Sequence, residues 1–255
     1  MDGAYYFAAR FGEGLMIYLR SFIFNVTFYT AMILFLIIGS PVLLMPRIYA
    51  IRALQAWGHT ANWLMKVICG IEVELRGIEN IPPGPLLVVG KHQSVWETFA
   101  LPTMFNDPCM VEKKELFYIP IYGWPYTYKF KMIGVDRKAG SKALKDLIRR
   151  GKEEIARGRQ IIILPEGTRR AVGAEADYKP GAAALYNALG VPCVAYGLNA
   201  GLFWPRRKFL RKPGKIVIEF APPFPSGLPR KEFDRLMQDT IESITNRLVE
   251  ESIRP

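Results

Sequence analysis

Leu86-Leu87-Val88-Val89-Gly90 runs straight into Lys91-His92-Gln93-Ser94-Val95-Trp96-Glu97. Five apolar residues after the turn-forming stretch Glu79 to Pro85 (ENIPPGP) have the length and composition of a strand buried on both faces. Ser94 to Glu97 fits S-x-x-E, so a helix is predicted to start almost as soon as the strand ends. The same alternation recurs outward from this point. Short runs of strand type are Ile71 to Leu75, Cys109 to Lys113, Met132 to Asp136, Gln160 to Leu164, Val191 to Leu198 and Lys215 to Phe220. Helical patterns separate them at Thr98 to Phe105, Ala139 to Arg157, Gly181 to Ala188 and Lys231 to Ile253. Strands alternating with helices predict an α/β fold with a mixed, largely buried sheet flanked by helices.

The N-terminal part is of a different kind. From Ser21 to Pro46 there is no charged residue, and a bilayer crossing needs about 20 mostly apolar residues. Arg20 and Arg47 bracket the run, and Tyr18 and Tyr29 suit an interface. The run is too long for a signal peptide, and no small-residue cleavage site follows it. A second stretch, Arg47 to Cys69, places Ile48, Ile51, Leu54, Trp57, Ala61, Leu64 and Ile68 at spacings of three or four, as an amphipathic helix does. Residues 1–70 therefore read as a helical membrane anchor and residues 71–255 as the main domain. The flanking cations lean slightly toward a cytoplasmic position for that domain.

The 255 residues carry a formal net charge of +11, which implies an anionic partner. Lys138 to Arg170 holds ten Lys or Arg against four acids, and Arg206 to Lys215 holds six with no acid. Anionic lipid headgroups suit these clusters, with Phe203 and Trp204 beside the second. An apolar anchor and the lack of any nucleic-acid motif argue against DNA or RNA as the partner. Cys69, Cys109 and Cys193 are isolated and show neither disulfide nor metal spacing. With only two histidines, His59 and His92, and no ligand cluster, no metal site is expected.

Two polar motifs sit where strands end. In the first, His92 and Glu97 are five residues apart, which on a continuous helix would place them about 140° apart around the axis. They meet only if His92 precedes the helix and Glu97 lies in its first turn. Glu97 could then serve merely as a helix cap. Alternatively, the pair is a dyad: the imidazole accepts a hydroxyl proton near neutral pH and the carboxylate fixes its tautomer. The second motif, Ile163 to Arg170 (ILPEGTRR), follows the Gln160 strand. Gly167 permits a tight turn, leaving Glu166, Thr168 and Arg169 at the rim, where arginine can grip a phosphate through two parallel hydrogen bonds. Alone, this would pass for an ordinary polar turn.

Together these motifs resemble the glycerolipid acyltransferase family, in particular the 1-acylglycerol-3-phosphate acyltransferases, with an NH-x4-D block followed about 70 residues later by F-P-E-G-T-R. Lys113 to Trp124 (KKELFYIPIYGW), Ile133 to Arg137 (IGVDR), Tyr178 to Ala183 (YKPGAA) and Val191 to Leu198 resemble the intervening and following blocks. The resemblance covers roughly Ile71 to Phe220. It departs at two places: Glu97 replaces the family's aspartate, and Lys91 its asparagine, which could alter contacts with an anionic substrate. It implies His92 as general base and Glu97 as its orienter. It also implies Glu166, Gly167, Thr168 and Arg169 as acceptor-binding residues, with Lys114 and Arg137 as further anion ligands. The expected acceptor is lysophosphatidic acid, and the expected acyl-CoA or acyl carrier protein is a co-substrate rather than a cofactor. Rival readings are an acyltransferase for another lysolipid such as lyso-ornithine lipid, a hydrolase using the same dyad on water, and a non-catalytic basic membrane-surface protein.

Overall fold

The computed structural model describes residues 2–119 and 123–254, with side chains from Gly14 onward except at Trp124 and Pro125. Among the described residues, seven strands form one sheet: β1 (Ile71–Arg76), β2 (Leu86–Gly90), β3 (Pro108–Lys113), β4 (Ile133–Val135), β5 (Gln160–Ile163), β6 (Cys193–Leu198) and β7 (Gly214–Phe220). Their order is β1-β7-β6-β2-β5-β3-β4, and only the β6–β7 pair is antiparallel. The sheet is therefore mixed, as the alternating pattern implies. Every residue of β2, β5 and β6 is buried, which explains their unbroken apolar runs.

The helices are α1 (Asp2–Ile38), α2 (Arg47–Leu64), α3 (Trp96–Ala100), the single turn α4 (Tyr128–Phe130), α5 (Gly140–Ala156), α6 (Gly181–Leu189), the short α7 (Ala200–Phe203) and α8 (Arg230–Ile253). Where one helix was expected over Thr98 to Phe105, α3 ends at Ala100 and a tighter 3-10 turn, Leu101–Met104, takes over. Pro102 supplies the reason, since it has no N–H to continue the helix.

Topology places the site. From β2 the chain crosses over β5 to β3; from β5 it crosses back over β2 to β6. Right-handed crossovers in opposite directions put their helices on opposite faces of the sheet. Accordingly α3 packs with α1 and α2 on one face, while α5, α6 and α8 cover the other. A crevice opens at the carboxyl ends of two strands whose connections diverge in this way. Here those strands are β2 and β5, which carry the two motifs.

The apolar run predicted over Ser21 to Pro46 is part of a longer helix that stops at Ile38, followed by Gly39 and the 3-10 turn Ser40–Leu43. Among the described residues, Gly14–Ile38 is the one helical segment long and apolar enough to cross a membrane. Its outer side exposes Leu19, Phe22, Val26, Ile33 and Ile37. Its inner side joins the main core. Phe24 meets Trp204 with ring centres 5.2 Å apart, and Phe28 meets Trp57 at 5.2 Å and Phe99 at 5.6 Å. Polar contacts line the same seam. Ser21 Oγ accepts the Arg211 backbone N–H at 2.8 Å, and Asn25 Oδ1 accepts from the Arg211 guanidinium at 2.8 Å. Arg211 also lies 4.6 Å from the Trp204 ring centre.

At the amino end of β5, Arg159 is fully buried and well satisfied. It donates to Asp107 Oδ1 at 3.0 Å and Glu154 Oε2 at 2.7 Å. It also donates to the carbonyls of Pro108 at 2.7 Å, Lys131 at 2.9 Å and Phe130 at 2.9 Å. Arg47, at the start of α2, grips both oxygens of Asp107, so this network also ties the second N-terminal helix to the sheet.

Candidate active site

The carboxyl end of β2 delivers His92 into a short loop before α3. Its side chain is 13% exposed, and Nδ1 lies 3.9 Å from Glu97 Oε1. That distance exceeds hydrogen-bond length but leaves the two groups directly opposed. Glu97 is fully buried. Its carboxylate accepts the backbone N–H of Gln93 at 2.7 Å and of Ser94 at 2.9 Å. Ser94 Oγ accepts from the Trp96 N–H at 3.2 Å. From the first turn of α3, Glu97 thus holds the two N–H groups that precede the helix while it faces the imidazole. Trp96 is itself locked, donating from its indole to Asn62 of α2 at 2.9 Å.

The loop after β5 stands alongside. Gly167 takes φ +62°, closing the turn with an N–H to the Leu164 carbonyl at 2.8 Å. A Cβ there would come within 2.9 Å of the Arg137 guanidinium, which donates to the Gly167 carbonyl. Glu166 is buried, and its Oε2 accepts the His92 backbone N–H at 2.9 Å. The Arg170 N–H donates back to the His92 carbonyl at 2.7 Å. Both peptide groups of His92 are therefore held by the 164–170 loop. Burial pushes the Glu166 carboxyl above its ordinary range, and the Lys91 ammonium at 3.0 Å opposes that rise.

Cations gather around this loop. Arg206 donates to the Arg169 carbonyl at 2.8 Å. Partial burial, followed by the nearby guanidinium groups of Arg137, Arg206 and Arg169, depresses the Lys113 ammonium, with Glu115 acting against them. Like charges crowded with so little acid make a ready anion site.

The structure brings His92, Glu97, Glu166, Gly167, Arg169 and Arg137 together. Thr168 lies in the same turn, half-buried. Lys114 is exposed at the start of the 3-10 turn Lys114–Tyr118, next to Lys113, which is also exposed and feels the arginine cluster. Sequence reading passed over Lys113 and the grip of Arg206 on Arg169. The doubled lysine Lys113-Lys114 was the available signal, but both residues are exposed and only the folded arrangement shows that Lys113 stands near the arginines. Lys91 also differs from expectation. It is 2% exposed and paired with two carboxylates, so it is not placed as a surface contact for an anionic substrate. A surface groove of about 280 Å³, lined by Asn62, Trp63, Lys66, Ile71, Glu72 and Val73, contains none of these residues.

Comparison with known proteins covers both loops. The family model described as Acyltransferase matches residues 72–198. Over 168 residues the chain is 40% identical to the 1-acyl-sn-glycerol-3-phosphate acyltransferase of Pseudomonas aeruginosa, covering 66% of this chain and 65% of that protein. The match thus spans just under two thirds of that relative's length. The human 1-acyl-sn-glycerol-3-phosphate acyltransferase alpha is 26% identical over 234 residues, 89% of this chain and 77–78% of such mammalian relatives. The crystal structure of the 1-acyl-sn-glycerophosphate (LPA) acyltransferase PlsC from Thermotoga maritima superposes with a TM-score of 0.69 at 22% identity. It covers 89% of this chain and 97% of that one, a likeness of fold. An acyltransferase-family domain over residues 72–198 thus carries both motif loops, on the fold that sets them side by side.

Proposed function

We propose that the chain transfers a fatty acyl group from a thioester, acyl-CoA or acyl carrier protein, to the sn-2 hydroxyl of 1-acylglycerol-3-phosphate, giving phosphatidic acid. The observation that carries this reading is the opposition of His92 and Glu97 at 3.9 Å beside the cation cluster around Gly167. Relatives named for this reaction support the choice of acceptor.

With Nδ1 facing Glu97, Nε2 of His92 is left for the acceptor hydroxyl. It takes the hydroxyl proton as the oxygen attacks the thioester carbonyl, and Glu97 stabilises the imidazolium. Collapse of the tetrahedral intermediate forms the ester C–O bond and breaks C–S, and the imidazolium returns its proton to the thiolate. The acceptor hydroxyl is the nucleophile, so no covalent acyl-enzyme is required, and no resident metal or cofactor enters the scheme. The Gly167 amide is already taken by Leu164, so the Thr168 and Arg169 amides are the candidates for oxyanion donors. Arg169, Arg137 and Lys113 receive the acceptor phosphate.

The acceptor is itself a membrane lipid, and the outward face of α1 fits a bilayer. The exposed cations Arg207, Lys208 and Lys212 lie beside Phe209, which stacks on Tyr18 of α1 with ring centres 6.4 Å apart. We assign these residues to anionic headgroups on the cytoplasmic side.

The test is transfer of labelled acyl groups from acyl-CoA or acyl carrier protein to lysophosphatidic acid by the purified chain. Phosphatidic acid from the parent, lost in His92→Ala, is the expected result. Absence of product with both donors, or release of free fatty acid alone, overturns the reading. Product with only another lysolipid, such as lyso-ornithine lipid, overturns the choice of acceptor.

A further inference from the structure

Lys91 immediately precedes the base, yet its ammonium is sequestered. It lies 3.0 Å from Glu166 Oε1 and 2.6 Å from Glu242 Oε1. Glu242 belongs to α8, which covers the face of the sheet opposite α3. It also accepts the Tyr178 hydroxyl at 2.8 Å. The Tyr178 ring centre is 6.0 Å from the Lys91 ammonium. Tyr196 of β6 completes the enclosure, donating its hydroxyl to the Lys91 carbonyl at 3.2 Å.

A buried ammonium persists only with opposite charge and hydrogen bonds around it. This one joins a carboxylate of the active-site loop to a carboxylate of a distant helix. The contacts run without a gap from Tyr178 to Glu242, Lys91, Glu166 and the His92 N–H. We propose that Lys91, Glu242 and Tyr178 are positioning residues that hold Glu166, and through it the His92 peptide, in the geometry for acyl transfer, while Lys91 contacts neither substrate. This rests on the reaction proposed above.

The charges give the proposal a signature in pH. Glu166 is faced by Lys91 and His92 from the end of β2, Tyr178 from the segment before α6, Tyr196 from β6 and Glu242 from α8; Glu97 of α3 acts on Tyr196 from the other side. Lys91 lowers the Glu166 carboxyl and Glu242 raises it. Removing the lysine should move the acid limb of activity to higher pH, and neutralising Glu242 should move it to lower pH.

The experiment uses the purified full chain in detergent. For K91M, K91R, E242Q, Y178F and the K91M/E242Q pair, kcat, the KM for each substrate and the pH profile are measured. K91M is expected to lower kcat about 10- to 100-fold with both KM values within about twofold of the parent. K91R should recover part of the loss, and the double variant should lose less than the product of the single losses. Parental kcat in K91M, a raised KM for either substrate, or acid limbs that move in the same direction would each sink the proposal. If K91M does not fold, E242Q decides: parental kcat with an unmoved acid limb refutes the role. Amide exchange at His92 to Ser94 is read in parallel and needs no turnover. Faster exchange in E242Q and Y178F is expected, and unchanged exchange overturns the proposal even if the parent transfers no acyl group, which by itself refutes only the reaction.

Discussion

The two ends of β5 hold charged side chains of equal depth and opposite character. At the amino end, Arg159 is fully buried and spends its donors on five fixed acceptors. At the carboxyl end, Glu166 is also buried, but its surroundings are incompletely matched. His92 Nδ1, Gln93 Nε2 and Arg170 Nε are buried without hydrogen-bond partners. One strand thus joins a network that specifies the fold to a network that leaves polar groups available for chemistry. Departures from full satisfaction in a native protein tend to mark such sites.

The sharpest test of this contrast is a crossed pair of substitutions. His92→Ala should lower kcat about 1,000-fold, within the usual range for loss of a general base, with the melting temperature nearly unchanged. Arg159→Met should do the reverse. Breaking a buried pair by removing one partner costs about 3–5 kcal/mol of stability, while turnover per folded molecule should stay near the parent's. Chemical denaturation read beside single-turnover assays checks both. If Arg159→Met abolishes turnover without loss of stability, the two ends are not separate in role.

Arg169→Ala comes next. Hydrogen bonds to charged groups contribute about 1.5–3 kcal/mol, so the KM for lysophosphatidic acid should rise at least tenfold, with a smaller change in the KM for the donor. Gly167→Ala strains the turn by about 1–2 kcal/mol and pushes on Arg137, so stability and acceptor binding should fall together, as calorimetry and kinetics can follow. The smallest effect concerns pH. Glu166 binds its proton more tightly folded than unfolded. Stability should therefore fall as pH rises from the ordinary glutamate value, about 4.3, through the raised one. Glu166→Gln should flatten that part of the stability curve, and denaturation midpoints across pH would reveal it.

What the sequence disclosed follows the range of the interactions. Leu86 to Gly90 could be read to the residue, because a strand buried on both faces is a continuous apolar run bounded by turns. His92 and Glu97 were equally legible, since their geometry is settled within six residues and a single helix start. The apolar stretch announced a helix but not its limits: hydropathy registers where charges stop, whereas Gly39 and Pro41 end the helix. Pairings across the sheet were hidden. His92 and Glu166 are 74 residues apart, and Lys91 and Glu242 are 151 apart. Nothing local tells Lys91 from a solvated lysine, because its burial depends on the strand order that brings α8 against β6.

The seam along α1 bears on handling the protein. Cutting the chain near Gly70 to obtain a water-soluble fragment would remove Phe24, Phe28 and Trp57 from around Trp204 and Phe99, leave Arg211 without Ser21 and Asn25, and uncover an aromatic wall prone to aggregation. A better route keeps the helix and recodes only its outward residues, such as Leu19, Phe22, Val26, Ile33 and Ile37, to polar ones. The stretch that makes the chain greasy is also part of its scaffold, and only one side of it can be dispensed with.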